Sequence, residues 1–497
     1  MPSQSLFQLI GLPIAVKLAD PDECLAWVAQ VNDAYRRLER PVLGADRVVD
    51  FKLRTTLWRR TVLHGLFDRT GPCTGIDPGR LLDILVALNV FPDAEQQRIA
   101  MNVLGPDLFA RLQASMGITP AGHPELELES GPGVNLDIVA NRSSRWPFEK
   151  WRLDERFSRY ETAGEGVRYR GVEFAPGDVL LANVNLDGNG VYTSLSDPKS
   201  FSSHSAFFAM LEHRGRRFPV VIETYEKGVR PVPLSVFLGP HFCSYVELYR
   251  HVEFTAGHAD AINAAAARFI EEVRGYNFNS EDLNPAYMSC TAVGRFLHQA
   301  AGMTPIRTVS KLAHPNIQGN LGKLGYTYFD FFAPVDFLLS DRFRYAGHID
   351  NNQADRLLAR ELVDREFRRQ FEERQLDPKR FPAMGGLNRW GIRQIRNGTL
   401  VGRVIGKVEG FDAHNLPKGP DHLMAVITLA EKQIGEVIKK TIDACTAELR
   451  GPDQPGLDEM LDHVAINRLV RESLNLPWLP PPSPQPLSPR ESGTPSS

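Results

Sequence analysis

Cys290 stands in NPAYMSCTAVGRFL, just where apolar residues begin to recur three and four apart, so it occupies the expected first turn of a helix. Unpaired N–H groups and the positive end of the helix dipole meet there, and both favour a thiolate over a thiol. His204, in SFSSHSAFFAML, opens a run whose other residues read as a buried strand, which leaves a titratable imidazole at a sheet edge. Glu223 ends the apolar run PVVIE on the next strand; facing the same side as His204, it would hold the second ring nitrogen. Each residue alone has a plainer reading, as a small buried hydrophobe, a hydrogen-bonded edge histidine and a solvated glutamate. Together they specify a cysteine nucleophile, a base and an orienter, the chemistry of attack on an amide, isopeptide or (thio)ester carbonyl through a covalent acyl-enzyme. Backbone N–H groups at Cys290 and its helix would form part of an oxyanion hole.

Two further side chains are candidates for substrate contact. Tyr287, three residues before Cys290, could add a hydroxyl to the pocket, although packing accounts for it equally well. Asp178, in the GDVLL turn, could meet substrate, but an Asp that stabilises a turn after Gly is commoner. In EKGVRPVPL, Gly228 and the Arg230–Pro231 and Val232–Pro233 bonds shape a turn and the run into the next strand, with no chemistry assigned. His204, His213, His241, His251 and His258 cluster in sequence, but their spacings fit no compact metal motif. The expected site therefore needs no metal and no cofactor.

These side chains require a sheet and a helix to hold them. GDVLLANV, HSAFFAML, FPVVIETYE and CSYVELYRH are short β-branched or aromatic runs bounded by Gly, Pro and Asp, and each predicts a strand. GHADAINAAAARFIEEVRGY predicts a helix ending at Gly275, and TAVGRFLHQAAG predicts another, stopped by Gly302. Strands followed by packed helices make an α+β unit. On either side the pattern is helical: CLAWVAQVNDAYRRL, TTLWRRTVLHGLF and GRLLDILVALNVF before it, NNQADRLLARELVDREFRRQFEERQ and HLMAVITLAEKQIGEVIKKTIDACTAEL after it. A hairpin is expected at TLVGRVIGKVEGF between the last two. The segment from Pro477 has eight prolines in 21 residues and is expected to be a disordered tail, usable as a docking strip. The expected division is a helical region over 1–160, the α+β unit over 161–343, a mostly helical region over 344–476 and the tail over 477–497.

The runs GDVLL, SSHSAFF, VVIETYEKGVRPVPLSVFL, YVELYRH, RGYNFN and YMSCTAVGRFL together resemble the circularly permuted papain-fold cysteine hydrolases of the YiiX type, within the NlpC-like superfamily. The likeness covers about 170 to 335 and keeps the permuted order His, acid, Cys. It implies a permuted papain-like antiparallel sheet with packed helices, and roles of base for His204, orienter for Glu223 and nucleophile for Cys290. Relatives commonly follow the cysteine with Ser-Glu-Leu; this chain has Thr291, Ala292 and Val293, which leaves the substrate class open. The resemblance implies peptidase, amidase or thiol acyltransferase activity on a peptide, a peptidoglycan fragment or an acyl lipid. The alternative is an inactive papain-like scaffold whose helical flanks or Pro-rich tail serve a protein partner.

Composition narrows the remaining classes. With 497 residues, 42% hydrophobic and 24% charged, the chain is a folded protein of more than one core, and 57 basic against 60 acidic residues argue against nucleic acid as partner. Five scattered cysteines, none paired as CxxC, indicate a reducing compartment. No cleaved signal and no run near the ~20 apolar residues of a membrane span are evident, so the expected location is cytoplasmic, with signal-independent export left open. GxxxxGK[ST], GxSxG and HExxH are all absent from the sequence, which removes the usual support for nucleotide hydrolases, serine esterases and zincins.

Overall fold

The computed structural model describes residues 45–67, 77–88, 100–115 and 160–479, together with five positions between 22 and 30. Within 160–479 it omits 186–190, 214, 226–227, 241, 274, 278–285, 382–389, 392, 396, 410–421 and 451–463. The protein is α+β. Helix α1 (Ala45–Phe67) precedes a small antiparallel meander of β1 (Glu161–Ala163), β2 (Gly166–Tyr169) and β3 (Val172–Phe174). The main sheet contains β4 (Val179–Val184), β5 (His204–His213), β6 (Arg216–Tyr225), β7 (Gly228–Pro233), β8 (Cys243–His251) and β11 (Phe343–Asp350). Its order is β11-β8-β4-β5-β6-β7, and every neighbouring pair is antiparallel. A separate parallel pair joins β9 (Gly275–Tyr276) to β10 (Tyr287–Met288).

Position in the sheet explains the sequence patterns. β4 is buried at all its residues because it lies between β8 and β5 with both faces covered, hence its unbroken apolar run. GVRPVP is itself a strand, β7, and it can carry Pro231 and Pro233 because it is an edge strand whose outer side needs no N–H donors. Even residues of β4 and β5, such as Leu180, Ala182, Ala206 and Phe208, join one core with the meander and with Leu234 and Phe237. Odd residues, such as Val179, Leu181, Phe207 and Ala209, join a second core beneath the helices.

That second core contains α1, α2 (Ala259–Glu272), α3 (Cys290–Ala300), α4 (Ala354–Glu373) and α5 (His422–Leu449). It crosses the boundaries expected at 160 and 343. Val48, Phe51 and Leu57 of α1 pack in it, Lys52 ion-pairs with Glu247 of β8, and Arg59 lies 3.6 Å from Asp350. The sheet likewise runs on through β11 to Asp350.

Several expectations need correction. The segment expected as a hairpin forms a helix, Leu400–Glu409, because Val401, Val404, Ile405 and Val408 are spaced for a helical face and the Thr399 hydroxyl accepts the Gly402 N–H at 3.0 Å. The helix expected to reach Gly275 stops at Glu272, and Gly275 opens β9. Pro477 and Trp478 do not belong to a tail: Trp478 is buried against Phe371, and its indole N–H donates to Gln370 at 2.9 Å. The expected tail from 480 on, and nearly all of CLAWVAQVNDAYRRL, lie outside the described residues. Among the described residues no helix is long and apolar enough to cross a membrane.

Candidate active site

Cys290 is the first residue of α3, and Ser289 caps that helix by accepting the Ala292 N–H at 3.3 Å. The helix is set against the sheet at Gly294, where an added Cβ would fall 1.9 Å from the Phe207 ring. Only a glycine permits that approach, and it brings the helix start to the end of β5.

There the sheet forks. The β5–β6 ladder ends at Phe207↔Ile222, whereas β4–β5 pairing continues to Ala182↔His204 and β6–β7 pairing to Tyr225↔Gly228. By alternation His204, Glu223 and Arg230 belong to the face opposite the helices, with Phe208, Val221 and Val232. The thiol of α3 meets them through the gap between the parted strands. The Ser205 N–H also bonds the Cys290 sulfur.

Within the fork, the His204 ring is hydrogen bonded to Cys290. Its Nε2 lies 3.3 Å from Glu223 Oε2, an ion contact rather than a well-aligned hydrogen bond. With Nε2 turned to the acid, Nδ1 is the nitrogen available to the thiol. Glu223 in turn accepts from Arg230 Nε at 2.7 Å, across the register pair Glu223↔Arg230. All three members of the expected triad are at least nine-tenths buried.

Burial opposes charge on each group, and the partners overrule it. Burial pushes the Cys290 thiol up, but the His204 hydrogen bond and charge, the Ser205 N–H and the Tyr276 hydroxyl bring it down to about 7. Burial pushes His204 down, while its hydrogen bond to Cys290 and the charges of Cys290 and Glu223 raise it to about 10. Glu223, disfavoured as an anion by burial, is held below its ordinary value by Arg230 and His204. Between about pH 7 and about pH 10 the favoured state is a thiolate beside an imidazolium, with Arg230 neutralising the acid behind them.

The two expected substrate contacts fall differently. The hydroxyl that reaches Cys290 Sγ, at 3.6 Å, belongs to Tyr276 of β9 and not to Tyr287. Tyr287 is partly exposed on β10, one strand over, in register with Gly275. Asp178 does not reach the site. It is buried, accepts the Ala175 N–H at 2.7 Å and takes a two-pronged bond from Arg250 at 2.8 Å. Four residues of strand separate it from Ala182, His204's partner, which is about 13 Å along the sheet. Its two oxygens are consumed by the turn and by Arg250, so its role is structural.

Sequence patterns gave no warning of Arg230, Tyr276 or the Ser205 amide. Arg230 becomes visible once the β6–β7 register is known, and Tyr276 depends on the pairing of β9 with β10. Of the histidines close in sequence, His251 is held away from Cys290, its Nε2 meeting Thr304 O at 2.9 Å. Among the described residues no group of three or more His, Cys, Asp or Glu could hold a metal. A separate shallow cleft, lined by Asn183, Asn185, Arg356, Arg360 and Lys439 among others, includes neither Cys290 nor His204. Compared with protein-family models, curated proteins and solved structures, the chain matches none, so the geometry of this fork is what a functional reading has to stand on.

Proposed function

We propose that the protein is a cysteine-nucleophile hydrolase or acyltransferase acting on an amide, isopeptide or (thio)ester carbonyl. The observation that carries this is the convergence of Cys290, His204 and Glu223, far apart in sequence, on one fork with a lowered thiol and a raised imidazole. The permuted papain-like arrangement belongs to the same proposal and is supported by the order His, acid, Cys along an antiparallel sheet with the cysteine opening a packed helix.

The reaction has two halves. The Cys290 thiolate attacks the carbonyl carbon, forming the C–S bond and an oxyanion beside the first-turn N–H of Cys290. Collapse expels the leaving amine, alcohol or thiol, which takes its proton from the His204 imidazolium. Neutral His204 then removes a proton from water or from an acceptor amine or alcohol, which attacks the acyl carbon; the C–S bond breaks, the acid, amide or ester leaves, and the thiolate is restored beside the imidazolium. Glu223, held ionised by Arg230, stabilises the imidazolium and fixes the ring. The Tyr276 hydroxyl stands beside both the sulfur and the Cys290 N–H, where an oxyanion would form.

The hydrogen bond between Cys290 and His204 favours catalysis over an inactive scaffold, in which nothing would require the pair to touch. The test is acyl-enzyme trapping by intact mass with a small activated ester or thioester. A single hydroxylamine-sensitive acyl adduct on Cys290 is expected, absent in Cys290→Ala and formed much more slowly in His204→Ala. A parent protein that never acylates at Cys290 would sink the proposal.

A further inference from the structure

We infer that the surface formed by Trp390, Arg393, Leu400, Val401, Arg403 and Val404, in the connection from α4 to α5, docks the protein on a negatively charged lipid bilayer. The first observation is in the sequence. From 378 to 408 the chain has seven Lys and Arg residues and no Asp or Glu, although its net charge is −3. A stretch of one sign is a local field that the overall balance conceals.

The second observation is which apolar residues the fold leaves outside. Helix Leu400–Glu409 packs one side against the helical residues just before it: a Cβ added at Gly402 would fall 2.0 Å from Gln394 O, and one added at Gly391 would fall 3.8 Å from Ile405 Cδ1. The turn between them is closed locally, by the Asn397 N–H to Arg393 O and the Gly398 N–H to Ile395 O, both at 3.0 Å. Ile395 is buried, so this pair already has an inner apolar side. Leu400, Val401 and Val404 fall on a different side of the helix, within an arc of ~100°. They are 79%, 48% and 60% exposed, and Trp390 is 46% exposed. Arg403, also exposed, borders that arc ~60° from Leu400. Arg393 is exposed on the preceding segment.

Aliphatic and cationic side chains on one short element need a partner that is apolar within and anionic at its surface. A nucleic acid would engage the arginines and leave Leu400 and Val404 in water. A dry protein groove would take the aliphatic residues and strand the cations. An anionic bilayer satisfies both sets: the aliphatic chains enter the acyl boundary, the indole rests at headgroup level, and the guanidinium groups meet lipid phosphate and carboxylate. The helix has 10 residues, a length of ~15 Å against a hydrocarbon core of ~30 Å, so it lies in the interface plane and does not span it.

The experiment is co-sedimentation of the full chain with vesicles of phosphatidylcholine and phosphatidylserine at ~3:1, and of phosphatidylcholine alone, in ~0.1 M salt. The expected result is binding to the anionic vesicles that is weaker by ~10-fold or more on the neutral ones and declines as salt rises. Arg393→Gln with Arg403→Gln should lower it ~25-fold, at roughly fivefold per cation. Leu400→Ser with Val404→Ser should lower it ~10-fold or more. Arg393→Lys with Arg403→Lys should bind as the parent does, and thermal unfolding should be the same in all, because the side chains changed are exposed. Failure of the parent to sediment with anionic vesicles would overturn the inference. So would a loss in the Arg→Gln pair that the Leu400 and Val404 pair does not share, which marks a surface for a soluble polyanion. Self-association abolished by Leu400→Ser with Val404→Ser, in a parent that ignores vesicles, would assign the surface to a second copy of the chain and overturn it as well.

Discussion

Replacing His204 by Ala removes the largest favourable influences on the Cys290 thiolate, its hydrogen bond and its charge, and leaves burial to push the thiol up. The midpoint then moves from about 7 to at least the ordinary thiol value of ~8.5, a change of ~2 kcal/mol or more. A single-pH rate is a poor readout, because a thiolate of higher pKa is intrinsically more nucleophilic and recovers part of the loss. The ratio of rates at two pH values cancels that term and also cancels restricted access to a buried sulfur. Between pH 6 and pH 8 the thiolate fraction of the parent rises ~10-fold, and that of the variant ~75-fold. The assay is site-resolved iodoacetamide labelling at both pH values, with Glu223→Gln giving an intermediate ratio. A parent as steep as His204→Ala would refute the argument that the fork activates the sulfur.

Acylation of Cys290 should rise with pH through about 7, stay level, and fall through about 10, because the thiolate forms at the first value and the imidazolium is lost at the second; a profile still climbing at pH 9 contradicts the ion pair. Arg230→Met leaves Glu223 buried without its cation and should cost ~3 kcal/mol or more in chemical denaturation. Glu223 is depressed in the folded state, so its contribution is present above ~4.3 and is lost as pH falls through its folded value; the Arg230→Met deficit should therefore shrink in acid, and a deficit constant from pH 7 to pH 3 would contradict this. Gly294→Ala drives a methyl into the Phe207 ring and should lower stability by ~1–3 kcal/mol, with Phe207→Leu in the same chain restoring most of it; equal stability with and without the second change would exclude the clash. Asp178→Asn should lower the melting temperature while leaving the labelling midpoint of Cys290 in place, and a midpoint shift would return Asp178 to the site.

The parts of the site legible in the sequence are those governed by local rules. Cys290 follows a capping serine, His204 and Glu223 sit at changes of pattern, and the strands holding them alternate as buried antiparallel strands must. What was illegible depends on register and distance. Arg230 looked like punctuation between prolines until pairing set it opposite Glu223. Tyr276, not the nearer Tyr287, reaches sulfur because β9 lies in parallel beside β10. Asp178 carried the composition of a site residue, but the Arg250 that occupies it comes from a strand 72 positions away. In Leu400–Glu409 the glycines at 402 and 406 broke the apolar run into strand-like pieces, and the spacing of Val401, Val404, Ile405 and Val408 was the truer signal.

The fork between β5 and β6 makes the Cys290 sulfur part of the sheet. Ser205 offers its N–H to sulfur where an unbroken ladder would offer it to a carbonyl of β6. Cys290 is in that sense the last rung. A thiolate is a strong acceptor for that amide and a thioester sulfur a weak one, so each acylation loosens the rung and each deacylation tightens it. On the proposed reaction, the exchange rate of one backbone hydrogen, at Ser205, reads out the covalent state of the Cys290 sulfur, and the strength with which the sheet closes follows the state of that one atom.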